Sequence, residues 1–545
     1  MRDSTSQPLV SPENSGASGF LYSKTGGFVV FGLLFCVVLG YQIQSGAWLS
    51  DFGGHADEGA HVVTSLMVRD YLAGGFQEEL HPVRFAESYY DKYPKVAIGH
   101  YPPGFYGVAG VALLFSRSPE AILLTMALSC AFCCWLTWRI GNCIFQAKSS
   151  ALVAAFLLCL LPLIRIYTAI VMSDVLLVNF CLLALWAFAQ YLSTSRLRYS
   201  LAFGFWAAFA ILTKGSGLML ALVPPIAICL TAKWSYLRDW RLWIAALPVL
   251  VLALPWLLLT RHITEEGMSH QPFAEYLTQA IPYYFSGCTE VMGWGAFILL
   301  IGFAVQTLIK RIRSSISPIE SVLWAFMCGL FILYGAVPSG FDHRYLIPML
   351  PAAFILIILG IERITCDFWK QKRFSIVAVL IFGAIVLFET WRPVEKTYTG
   401  SNEAIAAAVA DHDEGKTTVL VISNARGEGA LISAAAFLNN DSVTVKRGSK
   451  ILASSDWLGR GYAASFEDSL QFDEVLEDQK IDSIIIDNPD KNAAAHWKLA
   501  LKLLTETNAA APYQQVGELR SKRKRAVENQ FRVFKVTRFR SETEP

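Results

Sequence analysis

Residues 28–61 read FVVFGLLFCVVLGYQIQSGAWLSDFGGHADEGAH, and this stretch decides how the chain is organised. The segment from Phe28 to Leu49 is uncharged and apolar, and it is long enough to cross a hydrocarbon core of ~30 Å as a helix. Asp57 and Glu58 follow shortly after it, between glycines, where a carboxylate at the membrane surface can meet a substrate from water. The competing interpretation is that both acidic residues only favour the start of the next helix through its dipole.

The composition of the whole chain separates a membrane part from a water-exposed part. Of the 545 residues, 54% are hydrophobic and 17% are charged, and the mean hydropathy is +0.42; these values exclude a water-soluble or disordered protein. The last 151 residues nevertheless contain 22 acidic and 20 basic side chains, which is the composition of a globular domain. The net charge of +2 excludes a nucleic-acid-binding protein that depends on positive charge.

Apolar runs of helical length recur after the first one and give about eleven predicted spans, several of them short. The later runs cover approximately residues 119–138, 150–168, 175–192, 199–213, 216–231, 242–260, 293–309, 320–338, 345–361 and 374–391. The run Phe105–Phe115 is too short to cross and follows two prolines, so we predict a helix lying at the membrane surface there. The sequence thus predicts an α-helical polytopic membrane bundle.

Basic residues collect in every second short loop between these runs, as the positive-inside rule requires. The loops concerned carry Arg139 and Lys148; Arg196 and Arg198; Lys233, Arg238 and Arg241; Lys310, Arg311 and Arg313; and Arg363, Lys370, Lys372 and Arg373. We therefore predict that the long loop 50–118 and the C-terminal part lie on the outer side of the membrane. The basic inner loops fit a bacterial inner membrane.

This layout divides the chain into three regions. Residues 1–26 are predicted to be a disordered cytoplasmic tail, residues 27–394 the transmembrane module, and residues 395–545 a small α/β domain on the outer side. The elements predicted for that domain are strands at 417–423 and 481–487, helices at 430–438, 467–479 and 493–506, and a hairpin-like pair near 513–519 and 530–539.

Three basic residues stand at the outer ends of spans: Arg165, Lys214 and Arg344. A charge at membrane depth is unfavourable unless it is paired or reaches the interface, so snorkelling and isolated ion pairs are the plainer interpretations. Lys214 lies in Leu212-Thr-Lys-Gly-Ser-Gly217, whose flexible backbone amides suit a phosphate. Cations converging on one side together with acidic residues predict a site for an anionic headgroup, such as a lipid phosphate.

Further polar residues lie where the chain re-enters the membrane from the outer side. His100 and Tyr101 come just before two prolines, and Asp174 opens an apolar span. An aromatic belt at the interface and a helix cap are the plainer interpretations of these residues. A metal site is a separate hypothesis for the first outer loop, because residues four apart on a helix share a face. Its candidate ligands are His55, Asp57 and His61.

Taken together, these residues resemble the GT-C class of polytopic glycosyltransferases, specifically the superfamily of protein O-mannosyltransferases and lipid A aminoarabinose transferases. The resemblance covers roughly residues 28–361 and rests on the order, spacing and common outer side of several short motifs. These motifs are Asp57-Glu58, His100-Tyr-Pro-Pro103, Asp174, Thr213-Lys214-Gly215, and Arg344-Tyr345 with Pro348 and Pro351.

The resemblance implies an enzyme that takes a sugar from a polyprenyl-phosphate carrier. It implies transfer with inversion to a hydroxyl group of a lipid, protein or glycan at the outer face. Asp57 would be the catalytic base and Glu58 its neighbour. Lys214 and Arg344 would hold the donor phosphate, together with Tyr345 and Tyr101.

The sequence departs from the family pattern at the return segment. Relatives often have an acidic residue and a lysine before the proline, where this chain has His100 and Tyr101. In some relatives the aspartate matching Asp174 pairs with this segment where a metal binds, so His100 and Asp174 are candidate ligands of a divalent ion. No nucleotide cofactor and no nucleic-acid partner are expected. The alternative function is a transporter or flippase of a lipid-linked sugar, which would place its polar sites near the midplane of repeated halves.

Overall fold

The structure is a computed structural model, and it describes residues 24–266, 268, 271–369, 372–396, 398–410, 416–439, 442–455, 461–489, 491–506, 513–520 and 530–536. The predicted tail 1–26 falls almost entirely outside these residues, and the first helix begins at Lys24.

Helices make up most of the chain before residue 390. They are α1 Lys24–Ser45, α2 Glu58–Asp70, α3 Pro82–Lys92, α4 Gly104–Phe115, α5 Pro119–Ile144, α6 Lys148–Leu160, α7 Pro162–Ala169, α8 Asp174–Thr194, α9 Leu197–Thr213, α10 Val223–Thr231, α11 Trp240–Leu259, α12 Phe273–Met292, α13 Trp294–Arg313, α14 Pro318–Ala336, α15 Met349–Trp369 and α16 Lys372–Thr390. Shorter helical segments are Ala47–Leu49, Tyr71–Gly75, Phe76–Glu78, Gly215–Leu222, Trp234–Arg238, Arg261–Glu266 and His343–Leu346.

Each predicted apolar run falls on helix, so the prediction of a helical polytopic bundle is confirmed. Within the described residues, 8 helices are long and apolar enough to cross a membrane, or up to 9 if the bent pair α6–α7 counts as one span. The two remaining runs form shorter apolar helices, Leu197–Thr213 and Gly215–Thr231. The number of full-length spans is therefore lower than the predicted eleven, because these segments are helical but too short for the length criterion.

Breaks in the helices fall where the sequence prevents a helix from continuing. Pro162 begins α7, and the axes of α6 and α7 differ by 58°. Proline lacks the amide that would bond to the preceding turn, and it forces Leu161 into an extended conformation (ψ 134°). Lys214 is also extended (φ −157°, ψ 136°) and ends α9 before Gly215. The second break sets Lys214 between two apolar helices, at the outer end of both in the predicted topology.

The C-terminal part forms a small α/β domain, as predicted. Its strands are β1 Thr417–Ile422, β2 Val443–Arg447, β3 Ala453–Ser454, β4 Ala463–Ala464, β5 Ser483–Asp487, β6 Tyr513–Arg520 and β7 Gln530–Val536, and its helices are α17 Ser401–Val409, α18 Ala425–Leu438, α19 Ser469–Asp478 and α20 Ala495–Thr505. The main sheet has the order β2-β1-β5-β7-β6. β1 is parallel to β2 and β5, and β7 is antiparallel to β5 and β6.

Helix α18 of this domain packs directly on α2 of the first outer loop. The two backbones approach so closely at Gly59 and Gly429 that a Cβ atom added to Gly59 would lie 2.5 Å from the Gly429 carbonyl oxygen. Polar contacts flank the crossing: Lys95 Nζ donates to the Ala425 carbonyl at 3.3 Å, and Arg117 Nη2 donates to the Ala436 carbonyl at 2.7 Å. The domain and the start of α2 therefore lie at the same end of the helical bundle.

The crossing of α2 and α18 gives a stability prediction. The substitution Gly59→Ala inserts a methyl group against backbone atoms that cannot move aside, and we expect overpacking to lower the free energy of unfolding by about 1–3 kcal/mol. The measurement is the Tm of the detergent-solubilised protein. Gly107→Ala is the matched control, because no atom lies within 4 Å of the added Cβ in α4. Equal Tm values for both variants would contradict the close crossing.

Candidate active site

Asp57 stands at the start of α2 but does not cap that helix. Its side chain accepts no hydrogen bond from the first turn. Instead, Asp57 Oδ2 accepts from Arg344 Nη1 at 3.0 Å and from the Tyr101 hydroxyl at 2.9 Å. Capping therefore does not account for this carboxylate, and the structure joins three predicted site residues that lie far apart in the chain.

Arg344 is held in position by Asp342, a residue that the sequence analysis did not select. Asp342 Oδ1 accepts from the backbone amide of Arg344 at 2.9 Å, and its Oδ2 lies 3.2 Å from Arg344 Nε. His55 Nε2 lies 3.6 Å from the same Asp342 oxygen. The signal in the sequence was an aspartate two residues before an arginine, but a helix cap explains that spacing equally well.

The electrostatic setting keeps both carboxylates ionised. Burial alone would raise the pKa of Asp57, but the Arg344 guanidinium and the imidazoles of His55 and His61 outweigh it and hold that pKa well below its usual range. Burial opposes ionisation of Asp342 as well, but the hydrogen bond from His55 and the charge of Arg344 lower its pKa. This end of the bundle thus contains two carboxylates that share one guanidinium.

Lys214 and Asp174 form a second ion pair in the same region. Lys214 Nζ donates to Asp174 Oδ1 at 2.6 Å, and the two side chains are only 9% and 2% exposed. Asp174 Oδ2 has no hydrogen-bond partner among the described residues. Buried acceptor atoms are rarely left unpaired, so Asp174 Oδ2 retains the capacity for a further hydrogen bond.

The ring of Tyr345 connects the two cations. Lys214 Nζ lies 4.9 Å from its centroid and Arg344 Cζ lies 5.4 Å from it. The ring is fixed by stacking on Tyr334 at 4.9 Å, and its hydroxyl donates to the Ser339 carbonyl at 3.2 Å. Lys214, Arg344 and Tyr345, all predicted to contact a phosphate, therefore form one cluster beside Asp57.

Glu58 has a different environment from its neighbour. It is fully buried, and it accepts from Gly54 N at 2.7 Å, Val171 N at 3.0 Å and Lys396 Nζ at 2.7 Å. These partners belong to the first outer loop, to the segment before α8 and to the linker that leads to the C-terminal domain. Glu58 was predicted to be catalytic together with Asp57, but its contacts are those of a residue that positions these three segments.

The metal hypotheses find no additional support in the geometry. Among the described residues, no group of three or more His, Cys, Asp or Glu side chains is arranged to hold an ion. Asp174 Oδ1 is occupied by Lys214. Burial lowers the pKa of His100, and the nearby Glu266 carboxylate opposes that shift. A divalent ion bound by His100 and Asp174 stays a prediction.

His61 lies behind the site and supports Tyr101. Its ring packs against the Tyr101 ring at 4.7 Å and the Phe105 ring at 5.4 Å. Its Nδ1 is 3.1 Å from the Tyr106 hydroxyl, and burial lowers its pKa to about 4 although the Asp57 charge acts in the opposite direction. The neutral His61 imidazole therefore packs behind the Tyr101 ring, whose hydroxyl donates to Asp57.

Comparison with known proteins finds one matching family model and several solved structures with a similar fold. Residues 100–259 match the family model described as dolichyl-phosphate-mannose-protein mannosyltransferase. No curated protein sequence gives a significant match to the chain. Two structures of ArnT from Cupriavidus metallidurans are similar over nearly the full length of both chains. The structure bound to undecaprenyl phosphate has 15% identity and a TM-score of 0.55, covering 95% of this chain and 99% of that chain.

The apo structure of the same protein has 16% identity and a TM-score of 0.54, with coverage of 94% and 98%. The chain has the GT-C fold. The archaeal oligosaccharyltransferase AglB from Archaeoglobus fulgidus, in complex with an inhibitory peptide and a dolichol-phosphate, is similar at 11% identity, with a TM-score of 0.53 and coverage of 85% of this chain and 69% of that chain. The predicted resemblance to GT-C glycosyltransferases is thus confirmed. His100, Tyr101, Asp174 and Lys214 lie inside the part matched by sequence, whereas Asp57 and Arg344 lie outside it.

The buried pair of Asp174 and Lys214 gives a second prediction. Asp174→Asn leaves the Lys214 ammonium without a charge partner, and we expect a loss of about 3–5 kcal/mol in the free energy of unfolding. The double variant Asp174→Asn/Lys214→Met removes the unpaired charge and is expected to recover much of the lost Tm. A double variant no more stable than Asp174→Asn would show that pairing is not what stabilises these side chains.

A third prediction concerns stability at acidic pH. The folded protein holds the pKa of His61 at about 4, below the ordinary value of 6.5. The unfolded chain therefore binds more protons between these two values, so this contribution to stability is complete above pH 6.5 and is lost as the pH falls towards 4. In thermal denaturation at about pH 7.5 and about pH 5, we expect His61→Gln to lose less Tm on acidification than the wild type. His81→Gln, at an exposed position, is the control. A loss of Tm on acidification in His61→Gln as large as that of the wild type would contradict the assignment of this pH dependence to His61.

Proposed function

We propose that this protein is a membrane glycosyltransferase that moves a sugar from a polyprenyl-phosphate donor to a hydroxyl acceptor. The observation that carries the proposal is the convergence of Asp57, Arg344, Lys214 and Tyr345 at one end of the bundle. Transfer from a lipid phosphate needs a base for the acceptor and fixed cations for the leaving phosphate, and this cluster contains both. The GT-C fold adds support, because ArnT and AglB with this fold were solved with undecaprenyl phosphate and a dolichol-phosphate.

An apolar groove beside the cluster suits the prenyl chain of such a donor. It has a volume of about 760 Å³ and runs between α4, α5 and α8. Exposed residues such as Phe115 and Leu128 line its outer part. Its inner part includes Phe105, whose ring packs against His61, and Leu176, which lies two residues after Asp174. Hydrocarbon gains stability from an apolar lining, so this groove suits a lipid tail. Because the inner part of the groove lies beside the cluster, a tail bound there would place its phosphate towards Lys214.

In the proposed reaction, the acceptor hydroxyl attacks the anomeric carbon of the donor sugar. The bond from that carbon to the acceptor oxygen forms while its bond to the phosphate oxygen breaks, and the hydroxyl proton passes to the Asp57 carboxylate. The phosphate leaves with additional negative charge, which Lys214 and Arg344 stabilise more strongly than they stabilise the ground state. A single displacement from the face opposite the phosphate inverts the configuration of the anomeric carbon.

Arg344 links donor binding to the strength of the base. While its guanidinium neutralises Asp57, the low pKa of that carboxyl makes it a weak base. A donor phosphate competes for the same guanidinium, and a carboxylate that loses part of this cation becomes more basic. We therefore propose that Asp57 becomes an efficient base only when the donor is in place, which would limit wasteful hydrolysis.

Sidedness is also part of the proposal. The basic loops predict an outer location for Asp57, Asp174, Lys214 and Arg344, and the contacts among these residues agree with a single end of the bundle. We propose that the site opens to the extracytoplasmic side of a bacterial inner membrane. The C-terminal domain packs on the same end through α2 and α18, so the acceptor would approach between this domain and the membrane.

The test uses the purified protein in detergent or proteoliposomes with radiolabelled polyprenyl-phosphate sugars, starting with mannose and aminoarabinose. Asp57→Asn keeps the size of the side chain but removes the base, and we expect transfer to fall by about 10²–10⁴-fold. Asp91→Asn is the matched control, because Asp91 is exposed on α3 in the same outer loop. It should retain wild-type transfer.

Two further results decide between enzyme and flippase. An enzyme forms a labelled glycosylated acceptor in detergent, where no membrane separates two compartments, whereas a flippase only relocates the donor in sealed vesicles. Retained transfer in Asp57→Asn would refute the role of this residue as base. Donor movement across vesicles, with no labelled product from any acceptor, would support the flippase alternative.

A further inference from the structure

A second pocket lies within the C-terminal domain and is not part of the membrane site. It has a volume of about 320 Å³. Ser423 and Asn424, which follow β1, line one side of it, and residues 492–497, which follow β5, line the other. The rest of the lining is formed by Ala425, Ser449, Ala453, Ser455 and Tyr462. The pocket thus lies at the carboxyl ends of two neighbouring parallel strands.

The topology of the sheet makes this position a natural ligand site. From β1 the chain passes through α18 to β2 on one side of β1, and it later enters β5 on the other side. β1 and β5 pair in parallel up to Ile422 and Ile486, so their ends open into one crevice. In open α/β sheets, ligands bind in the crevice at which the strand order reverses in this way.

Two helix N-termini border the pocket. Helix α18, of 14 residues, begins at Ala425, and α20, of 11 residues, begins at Ala495. The Asn424 side chain caps α18. The cap residue of α20, Ala494, makes no side-chain hydrogen bond, and the His496 amide in the first turn of α20 donates to the Tyr462 hydroxyl at 2.8 Å. Amides at a helix N-terminus carry partial positive charge and favour an anion.

His496 provides independent evidence for a ligand. The residue is 4% exposed and lines the pocket. Its Nδ1 lies 3.0 Å from the Tyr462 hydroxyl, whereas its Nε2 is buried and has no hydrogen-bond partner among the described residues. Leaving a buried polar atom unpaired costs about 1–3 kcal/mol, so its presence in a pocket indicates that a ligand supplies the partner.

The nearby acidic residues are already engaged in other contacts. Asp487 Oδ2 accepts from Ser423 Oγ at 3.0 Å, and Glu428 pairs with Arg447 at 3.0 Å. Glu428 also accepts from the Ser449 amide at 2.8 Å. The side chains that line the pocket itself are hydroxyl, amide, imidazole and indole groups without formal negative charge.

We propose that this pocket binds a phosphate group, carried either by inorganic phosphate or by a small sugar phosphate. The two helix N-termini supply the anion preference, and His496 Nε2 supplies a hydrogen bond, whereas the Ser423 and Ser449 hydroxyls already donate to Asp487 and Glu428. The volume is at the lower end of the range for ligand pockets, which suits a small phosphate ester and not a dinucleotide. This site is separate from Asp57 and the membrane cluster, and it does not depend on the function proposed above.

The test is hydrogen–deuterium exchange mass spectrometry of the full-length protein in detergent, because it locates the ligand on the chain. The probes are inorganic phosphate and glucose 1-phosphate, with glucose as the uncharged control. We expect saturable protection of the segments 423–427 and 492–498 with at least one phosphate probe. Protection by both probes at similar concentrations identifies the phosphate alone as the ligand group, and protection only by the ester identifies a sugar phosphate.

Matched variants make the assignment specific. Asn492→Asp places a negative charge in the lining with almost no change of shape, and we expect the affinity for the probe to fall roughly tenfold or more. His496→Gln is a second variant, which removes the imidazole Nε2 and should also weaken binding. Asn402→Asp makes the same chemical change at an exposed position of α17 and should bind like the wild type.

Three results would overturn the proposal. One is the absence of protection of both segments with either phosphate probe at millimolar concentration. Another is equal protection by glucose. The third is unchanged binding in both Asn492→Asp and His496→Gln. Protection near residues 55–58, 214 and 344 instead would report the membrane site, so failure of this proposal is distinguishable from failure of the proposed glycosyltransferase activity.

Discussion

The ion pair between Asp57 and Arg344 is the interaction on which this end of the helical bundle depends. At 3.0 Å it connects the start of α2 with the short helix His343–Leu346 that precedes α15, and the two residues are 287 positions apart in the chain. An isolated charge at such a site would be costly, because little water remains to solvate it. The neighbouring pair of Glu58 and Lys396, at 2.7 Å, ties the same turn to the linker that leads to the C-terminal domain. One short stretch of sequence thus fixes the first loop to both later parts of the protein.

The two adjacent acidic residues differ in exposure, and this difference separates the proposed base from a buried structural residue. The Asp57 side chain is 23% exposed and that of Arg344 is 7% exposed, whereas Glu58 and Lys396 are 0% and 3% exposed. A charge pair that solvent reaches can exchange one partner for a substrate group without disturbing the fold. A sealed pair can do so only if the surrounding structure opens. Asp57 is therefore the more accessible of the two adjacent carboxylates, and Glu58 is the one held within the fold.

Helix α18 connects the two sites of the protein in space. Its N-terminus borders the pocket of the C-terminal domain, and its Gly429 packs against Gly59 of α2. Gly59 follows Asp57 and Glu58 directly, in the turn that carries the proposed base. The close backbone crossing leaves no room for a side chain. A shift of α18 along its axis would therefore displace the α2 backbone that it contacts. The domain is thus placed to influence the membrane site mechanically.

Much of the architecture could be predicted from the sequence, because hydrophobic length, charge distribution and strand composition are properties of contiguous segments. The apolar runs predicted the helical bundle, the alternating basic loops placed Asp57, Asp174, Lys214 and Arg344 at one end, and the composition after residue 394 predicted the α/β domain. The breaks at Pro162 and Lys214 follow from the backbone chemistry of proline and glycine. All of these signals come from contiguous stretches of sequence, so they can be read without knowledge of the fold.

Tertiary structure alone decided which charges meet. The sequence allowed Asp174 to pair with the return segment or with a metal, and the packing of α8 beside α9 gave it Lys214 instead. The sequence analysis did not select Asp342, whose contact with Arg344 only the fold showed. Glu58 looked equivalent to Asp57 until burial separated them. Partner choice depends on distances between segments far apart in the chain and on the access of water to each group. Neither quantity can be read from the residues that are adjacent in sequence. Composition and spacing therefore identified the candidate residues, and three-dimensional packing assigned their partners.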